Sequence, residues 1–266
     1  MADWIAQLDV GKLLIFTLVL TRVSGLVMSA PIFGSADVPV RIRALLAVAL
    51  SVLIVPSQWG VAVPDPGTNL HYLIFLASEL LIGLTLGLGI VILFSGIQLA
   101  GQMIERIGGM MLAEVFDPGS GENVPLFSHF LYLTSLAVFL LIGGHRAVMG
   151  ALLDTFAALP PGSASMPTDV GETLVVLVTQ SFSLGIRAAA PLITALLLST
   201  LVMGLISRTL PQLNILAVGF GANSLITFGT MFFVIGASVW VFQQQVEPTL
   251  QLLFESLEAG AVVGTQ

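Results

Sequence analysis

The sequence predicts an all-α integral membrane protein, and three observations carry that prediction. Of 266 residues, 56% are hydrophobic and only 9% charged, where a soluble domain carries about 25% charge. The mean hydropathy is +1.04, more apolar material than a soluble core can bury. The apolar runs are long and do not alternate with a period of two, which favours spanning helices over a β-barrel.

Six long apolar segments are expected, at roughly 11–33, 44–63, 70–101, 126–158, 173–206 and 213–242. A spanning helix needs about 20 residues. The first segment follows MADWIAQLD (1–9), whose Asp3 and Asp9 do not suit the basic start of a secretory signal. It reads as a retained helix. The second is of ordinary spanning length. The last four reach about 30 residues, too long for one simple crossing, so they predict bent hairpins or helices that extend outside the bilayer. Glycines and prolines punctuate them: Gly83, Gly87 and Gly89, then Gly143 and Gly144, Gly185 and Pro191, and Gly219 and Gly221. Such positions permit close helix packing or kinks. VPDPGTN (63–69) and PPGSASMPTD (160–169) are turn-rich linkers. The tail EPTLQLLFESLEAGAVVGTQ is expected to begin as an acidic amphipathic helix and to end without structure. The whole of 1–266 reads as one membrane domain, with an N-terminal segment (1–10), a distinctive loop (108–125) and a C-terminal tail (255–266).

Arg41 and Arg43, Arg106 and Arg208 follow segments one, three and five, while loops 64–69 and 159–172 carry no Lys or Arg. The positive-inside rule places the Arg-bearing loops in the cytoplasm and both termini on the far side. Lys12 and Arg146 run against that map. Arg22, Glu79 and Arg187 lie within or near the ends of apolar segments. A charge there costs roughly 2.5–3.5 kcal/mol on insertion scales unless paired or wet. Two readings follow: interhelical pairing, with Glu79 opposite Arg22 or Arg187, or an ion or substrate pathway.

The chain has no cysteine, so disulfides and thiolate chemistry are excluded. His71, His129 and His145 lack metal-ligand spacing. No P-loop or G-x-S-x-G elbow is present. No enzyme activity, metal or cofactor is expected. The net charge of −7 and the scattered eight Lys+Arg exclude a nucleic-acid partner.

The most unusual stretch is GGMMLAEVFDPGSGENVP (108–125). Gly108 and Gly109 each lower helix propensity by about 1 kcal/mol. Asp117-Pro118-Gly119 is a turn signal. Between them MMLAEVF (110–116) is apolar and rich in adaptable Met. Non-helical backbone at membrane depth requires burial in protein or a cavity to line. The segment is either a re-entrant loop filling a packing gap or a movable plug in a pore.

Three blocks carry a likeness to a known family. The first is TRVSGLVMSAPIFGSADVPVRIRALLAVALSVLIVP (21–56), with its AP-x-FG-x-x-x-VP-x-R-x-R core. The second is ELLIGLTLGL (79–88) followed by DPGSGENVPLFSHFLYLTSLAVFLLIGGH (117–145). The third is GLISRTLPQLNILAVGF (204–220). In order and spacing they resemble the FliR/SctT export-gate family of flagellar and related type III secretion systems, the flagellar branch more than the virulence branch.

That resemblance implies a subunit of a conical, helical protein-export gate at the flagellar basal body in the bacterial inner membrane. Its helices would form bent hairpins. It would assemble with P and Q subunits (FliP, FliQ), with the B subunit (FlhB) at the entrance, not as a homo-oligomer, in contact with lipid and with unfolded exported proteins. It implies further that Gly108, Gly109, Met110, Met111, Leu112, Val115 and Phe116 form a pore plug, with Asp117 and Pro118 anchoring its far end. Glu114 would face the rim. Arg41 and Arg43, on the VPVRIR turn, and Arg208, on SRTLPQ, match family turns, where they serve either subunit contacts or topology. The competing readings are a virulence-type gate subunit, a small-solute transporter using Glu79 and Arg187, and a scaffold without a pore.

Overall fold

The computed structural model describes residues 10–31, 38–109, 125–163, 170–210, 212 and 215–263. Seven helices make up nearly all of them: α1 (Val10–Ser29), α2 (Val40–Gln58), α3 (Asn69–Gly108), α4 (Leu126–Leu141), α5 (Gly144–Ala158), α6 (Val170–Thr209) and α7 (Ile215–Val263). No strand occurs among the described residues. Five helices are long and apolar enough to cross a membrane, and the bent pair α4–α5 makes a sixth candidate. The α3 and α6 helices have 40 residues each and α7 has 49. At 1.5 Å per residue they run about 60–75 Å, twice the roughly 30 Å hydrocarbon core.

The helix bounds differ from the expected segments for local reasons. The first helix stops at Ser29, just before Pro31. The second starts at Val40, directly after Pro39, so Arg41 and Arg43 stand in a first helical turn and not on a turn before it. The third continues through QMIERIG because Ile104 and Glu105 are buried there. Arg208 likewise lies in the last turn of α6, beyond the expected end at 206. Segment four is two helices. They meet at 66°, and Gly143 between them has φ +79°, a left-handed conformation that glycine adopts without steric cost. Arg146 is therefore in the first turn of α5, at a bend and not at the end of a span.

The tail begins as a helix, as expected, and the helix runs farther than expected. It is continuous with α7 through Val263, past the polar QQQ (243–245) and Pro248. Val246, Leu250, Leu253 and Leu257 are all buried. Their 4-3-4 spacing is one helix face, and burying that face holds the helix beyond its polar stretch.

The chain forms two compact units, each of discontinuous segments: Met1–Ile92 with Gly143–Leu177 and Glu247–Gln266, and Leu93–Ile142 with Val178–Val246. In the first unit α1 packs on α2 and lies backbone to backbone on α3. A Cβ at Gly25 would stand 2.7 Å from the Leu80 carbonyl oxygen, and one at Gly83 would overlap the Arg22 carbonyl. The core there is Leu18, Val23, Leu26, Ile82, Leu86 and Leu152.

In the second unit α3 and α6 touch at paired glycines. A Cβ at Gly185 would sit 2.5 Å from the Gly96 carbonyl oxygen, and one at Gly96 equally close to that of Ser181. An aromatic cluster fills its centre. Phe94 meets Tyr132, Phe139 and Phe242 edge-on, with ring centroids 5.7, 5.5 and 5.0 Å away, the geometry that ring quadrupoles favour. Gly219 and Gly221, expected to serve packing or kinking, have nothing within 4 Å of an added Cβ, and neither do Gly229 and Gly236. Large apolar side chains stand out on the same helix, with Phe232 81% and Phe233 72% exposed. An exposed apolar surface of this kind marks a contact with lipid or with protein.

The two classes of glycine predict opposite responses. Gly83→Ala forces α1 from α3 and is expected to lower stability by about 1–3 kcal/mol, the usual cost of overpacking. Gly229→Ala meets no atom and gains helix propensity, about 0.5–1 kcal/mol. Unfolding of the two variants in detergent micelles checks this, and equal responses would sink the distinction.

Candidate functional site

Two buried polar centres organise the described residues. The first, in the first unit, is Arg22 at mid-α1. Its side chain is fully buried, as is that of Glu79 on α3. Arg22 Nε donates to Glu79 Oε2 at 2.6 Å. Nη1 donates to the Thr155 carbonyl oxygen at 2.9 Å and to Thr155 Oγ1 at 3.3 Å. Nη2 donates to the Leu159 carbonyl oxygen at 2.9 Å. The guanidinium also lies 4.3 Å from the centre of the Phe156 ring, within cation–π range. The second oxygen of Glu79, Oε1, accepts from the backbone N–H of Gly162 at 2.9 Å. Every guanidinium nitrogen and both carboxylate oxygens are thus engaged.

The arrangement follows from helix chemistry. The last carbonyls of a helix lack intrahelical donors and carry partial negative charge. The final turn of α5 contains no basic residue. Arg22 supplies the missing cation from α1: it binds the Leu159 carbonyl, and it shares the Thr155 carbonyl with the Leu159 backbone N–H, which donates to it at 2.8 Å. Only Arg has the planar fork of donors to reach a carboxylate and two carbonyls at once. Glu79 lies one turn before Gly83, so the close α1–α3 approach and the ion pair share one face of α3.

The second centre, in the second unit, joins α3 to α4. Pro125 occupies the N-cap position of α4 and offers no side-chain cap. Instead the Phe127 backbone N–H donates to Oε1 of Glu105, a buried residue on α3. Ser128 Oγ donates to the Gln98 carbonyl oxygen at 3.0 Å. A Cβ at Gly101 would overlap the Ser128 backbone. An anion at a helix N-terminus is the favoured sign.

The remaining candidate residues are scattered. Arg187 is exposed on α6 in the second unit and makes no hydrogen bond or ion pair with a described residue, so it does not pair with Glu79. Arg41 is exposed at the start of α2. Arg43, its neighbour but one, donates from Nε to the Val38 carbonyl oxygen at 2.9 Å. Arg208 is exposed in the last turn of α6, where a cation suits the helix dipole. Gly108 closes α3, and Gly109, with φ +75°, turns the chain out of it. Met110, Met111, Leu112, Glu114, Val115, Phe116, Asp117 and Pro118 lie outside the described residues.

Sequence reasoning missed Glu105 and the Thr155–Leu159 carbonyls. Glu105 sits beside Arg106 near a segment end and reads as a loop charge. Backbone acceptors leave no signal in a sequence. The missing signal for Glu105 was the proline at the start of α4, which leaves that helix in need of a cap from elsewhere.

The fold and its two centres define an all-helical, membrane-type protein of overlong helices, in which buried polar side chains tie helix ends to neighbouring helices. The sequence profile described as "Bacterial export proteins, family 1" matches residues 13–249, and the chain belongs to that family. It is similar to the flagellar biosynthetic protein FliR of Escherichia coli, 33% identical over 202 residues covering 76% of each chain. It is 32% identical to FliR of Aquifex aeolicus over 74% of this chain and 76% of that one. It is 28% identical to FliR of Bacillus subtilis over 80% and 83%.

The Arg22 centre predicts a sign pattern. Arg22→Met or Glu79→Leu alone leaves an unpaired buried charge and is expected to lower unfolding free energy by about 3–5 kcal/mol. The double variant R22M/E79L removes both charges and is expected to cost less than either single change. Denaturant unfolding of the four proteins tests this, and simple additivity would rule out the coupling.

Proposed function

We propose that this chain is the R-type subunit of a flagellar type III protein-export gate in the bacterial inner membrane, at the base of the flagellum. The observation that carries the reading is the family match over residues 13–249, with relatives named for flagellar biosynthesis covering three quarters or more of their own lengths. The geometry agrees in kind. Helices about twice the bilayer thickness and exposed Phe232 and Phe233 suit a subunit embedded in a larger helical assembly. In that assembly the chain meets FliP-type and FliQ-type subunits and an FlhB-type subunit. It lines part of a path for unfolded flagellar proteins. The role asks for shape and sealing, and no bond is made or broken by the chain.

Within this reading residues 108–118 close the pore. Gly108 and Gly109 let the chain leave α3 sharply, Met110, Met111, Leu112, Val115 and Phe116 exclude water and ions, and Asp117 and Pro118 fix the far end. An apolar constriction is sufficient to block ions. Gly109 supports the reading from the structure, because its left-handed φ ends α3 where the segment begins.

A small-solute transporter is the weaker reading. Arg22 and Glu79 are both fully buried and bind each other and the surrounding backbone, the arrangement of a structural pair and not of an open substrate site. The named relatives are flagellar, which favours the flagellar gate over an injectisome gate.

Two measurements test the proposal. Native mass spectrometry of the tagged full chain, drawn from its own host in mild detergent, is expected to give one copy bound to several copies of two smaller membrane proteins. A stable monomer or homodimer would reject the gate. Deleting 110–116 is expected to leave the complex intact but to make membranes leak ions. An assembled deletion with wild-type conductance would refute the plug.

A further inference from the structure

Arg187 is the only charged residue of α6 between Glu172 in the first turn and Arg208 in the last. At 1.5 Å per residue it lies about 26 Å from one end of the helix and about 33 Å from the other. Its side chain is exposed and makes no hydrogen bond or ion pair with a described residue. Along the same helix Val175, Phe182, Leu198 and Leu201 are exposed as well, so the cation interrupts an apolar surface. Pro191 adds a second demand at the same place. It has no N–H and cannot donate to the Arg187 carbonyl, the usual acceptor four residues back. Thr194 Oγ1 donates to the Ala190 carbonyl at 2.8 Å, and no described side chain does the same for Arg187. A guanidinium without a partner and a carbonyl without its usual donor thus share one turn. Ser183, Ala190 and Thr194 lie on that face of the helix, and their short side chains let another backbone come close.

We propose that the Arg187 face of α6 receives a membrane helix of another subunit, and that this helix carries one Asp or Glu, in an otherwise apolar run, paired with Arg187. The proposal rests on the reading of the chain as one subunit of a hetero-oligomeric gate. Lipid is a poor cover for this face. A charge in mid-span is costly against hydrocarbon unless it is paired or wet. Snorkelling relieves an arginine near the end of a span, and Arg187 is far from both ends of α6. Water is a poor cover too, because it would wet Phe182, Leu198 and Leu201. A helix with a single carboxylate meets both demands. Its apolar side chains cover the flanks, and its carboxylate accepts from the guanidinium in a charge-assisted bond. A partner without the carboxylate would leave Arg187 buried and unpaired, which makes the contact selective. A second copy of this chain is the poorer fit, since its buried helix carboxylates, Glu79 and Glu105, are already engaged.

The test puts the photoreactive amino acid p-benzoylphenylalanine in place of Arg187 in the full-length tagged chain, in its own host, and reads the cross-linked peptide by mass spectrometry. The expected product joins position 187 to a membrane helix of another subunit that carries an Asp or Glu. Adducts with lipid alone, with an exported protein alone or with a second copy of this chain alone would overturn the proposal. R187E is expected to lower the yield of the complex several-fold by native mass spectrometry, and exchanging the cross-linked partner's carboxylate for Arg is expected to restore it. If R187E loses the complex and the exchange does not restore it, Arg187 serves the folding of this chain and the proposal is wrong. If R187E assembles as the wild type does, the ion pair is refuted while the gate reading stands. If the wild-type chain itself is a monomer or homodimer, the gate reading falls and the proposal falls with it.

Discussion

A guanidinium out of contact with water must have its partners in place, and the first unit is organised around that demand. Arg22 is tied to Glu79, to the Thr155 and Leu159 carbonyls and to the Phe156 ring. These partners come from α3, α5 and the residue that ends α5. Several kcal/mol of desolvation are at stake for each buried ion, so a slip of any of these helices by one turn exposes a large penalty. The same residue enforces the register through its backbone. Its carbonyl oxygen occupies the space that a side chain at position 83 would need, and Glu79 sits one turn away on the same face. Glycine at 83 and glutamate at 79 are two halves of one requirement, that α3 meet α1 at Arg22.

Helix ends in this protein are completed at a distance. The C-terminus of α5 has a cation from α1, and the N-terminus of α4 has an anion from α3. Each sign is the one the helix dipole favours. The two helices of the broken pair share no ordinary side-chain cap: Pro125 and Gly143 occupy the N-cap positions. Short apolar helices of 16 and 15 residues are marginal alone, and borrowed charges bind them to longer neighbours.

This also explains what was legible in the sequence. Membrane class, helix content and the break at Gly143–Gly144 follow from hydropathy and glycine placement. Arg22 and Glu79 stood out because a charge in an apolar run is conspicuous. Their backbone partners did not, since a carbonyl is the same whatever residue carries it. The extent of α7 was hidden because the apolar run ends at 242, before QQQ, whereas the buried face of Val246, Leu250, Leu253 and Leu257 carries the helix on. Glycines gave an ambiguous message. Gly83 and Gly185 are needed by neighbours within the chain, and Gly219, Gly221, Gly229 and Gly236 are not, yet all six look alike in sequence.

The Arg22 centre imposes a timetable on synthesis. Its partners are made in order: Glu79 after 57 more residues, Thr155 after 133 and Leu159 after 137. At about 5–20 residues per second, the arginine waits roughly 3–11 s for its counter-ion and about 7–27 s for its first carbonyl. During that interval α1 is already an apolar helix ready to enter lipid. Until then the charge of Arg22 lacks the partners that the folded chain gives it. The buried centre can therefore close only after α5 has been translated, so one of the later helices completes the surroundings of a side chain in the first.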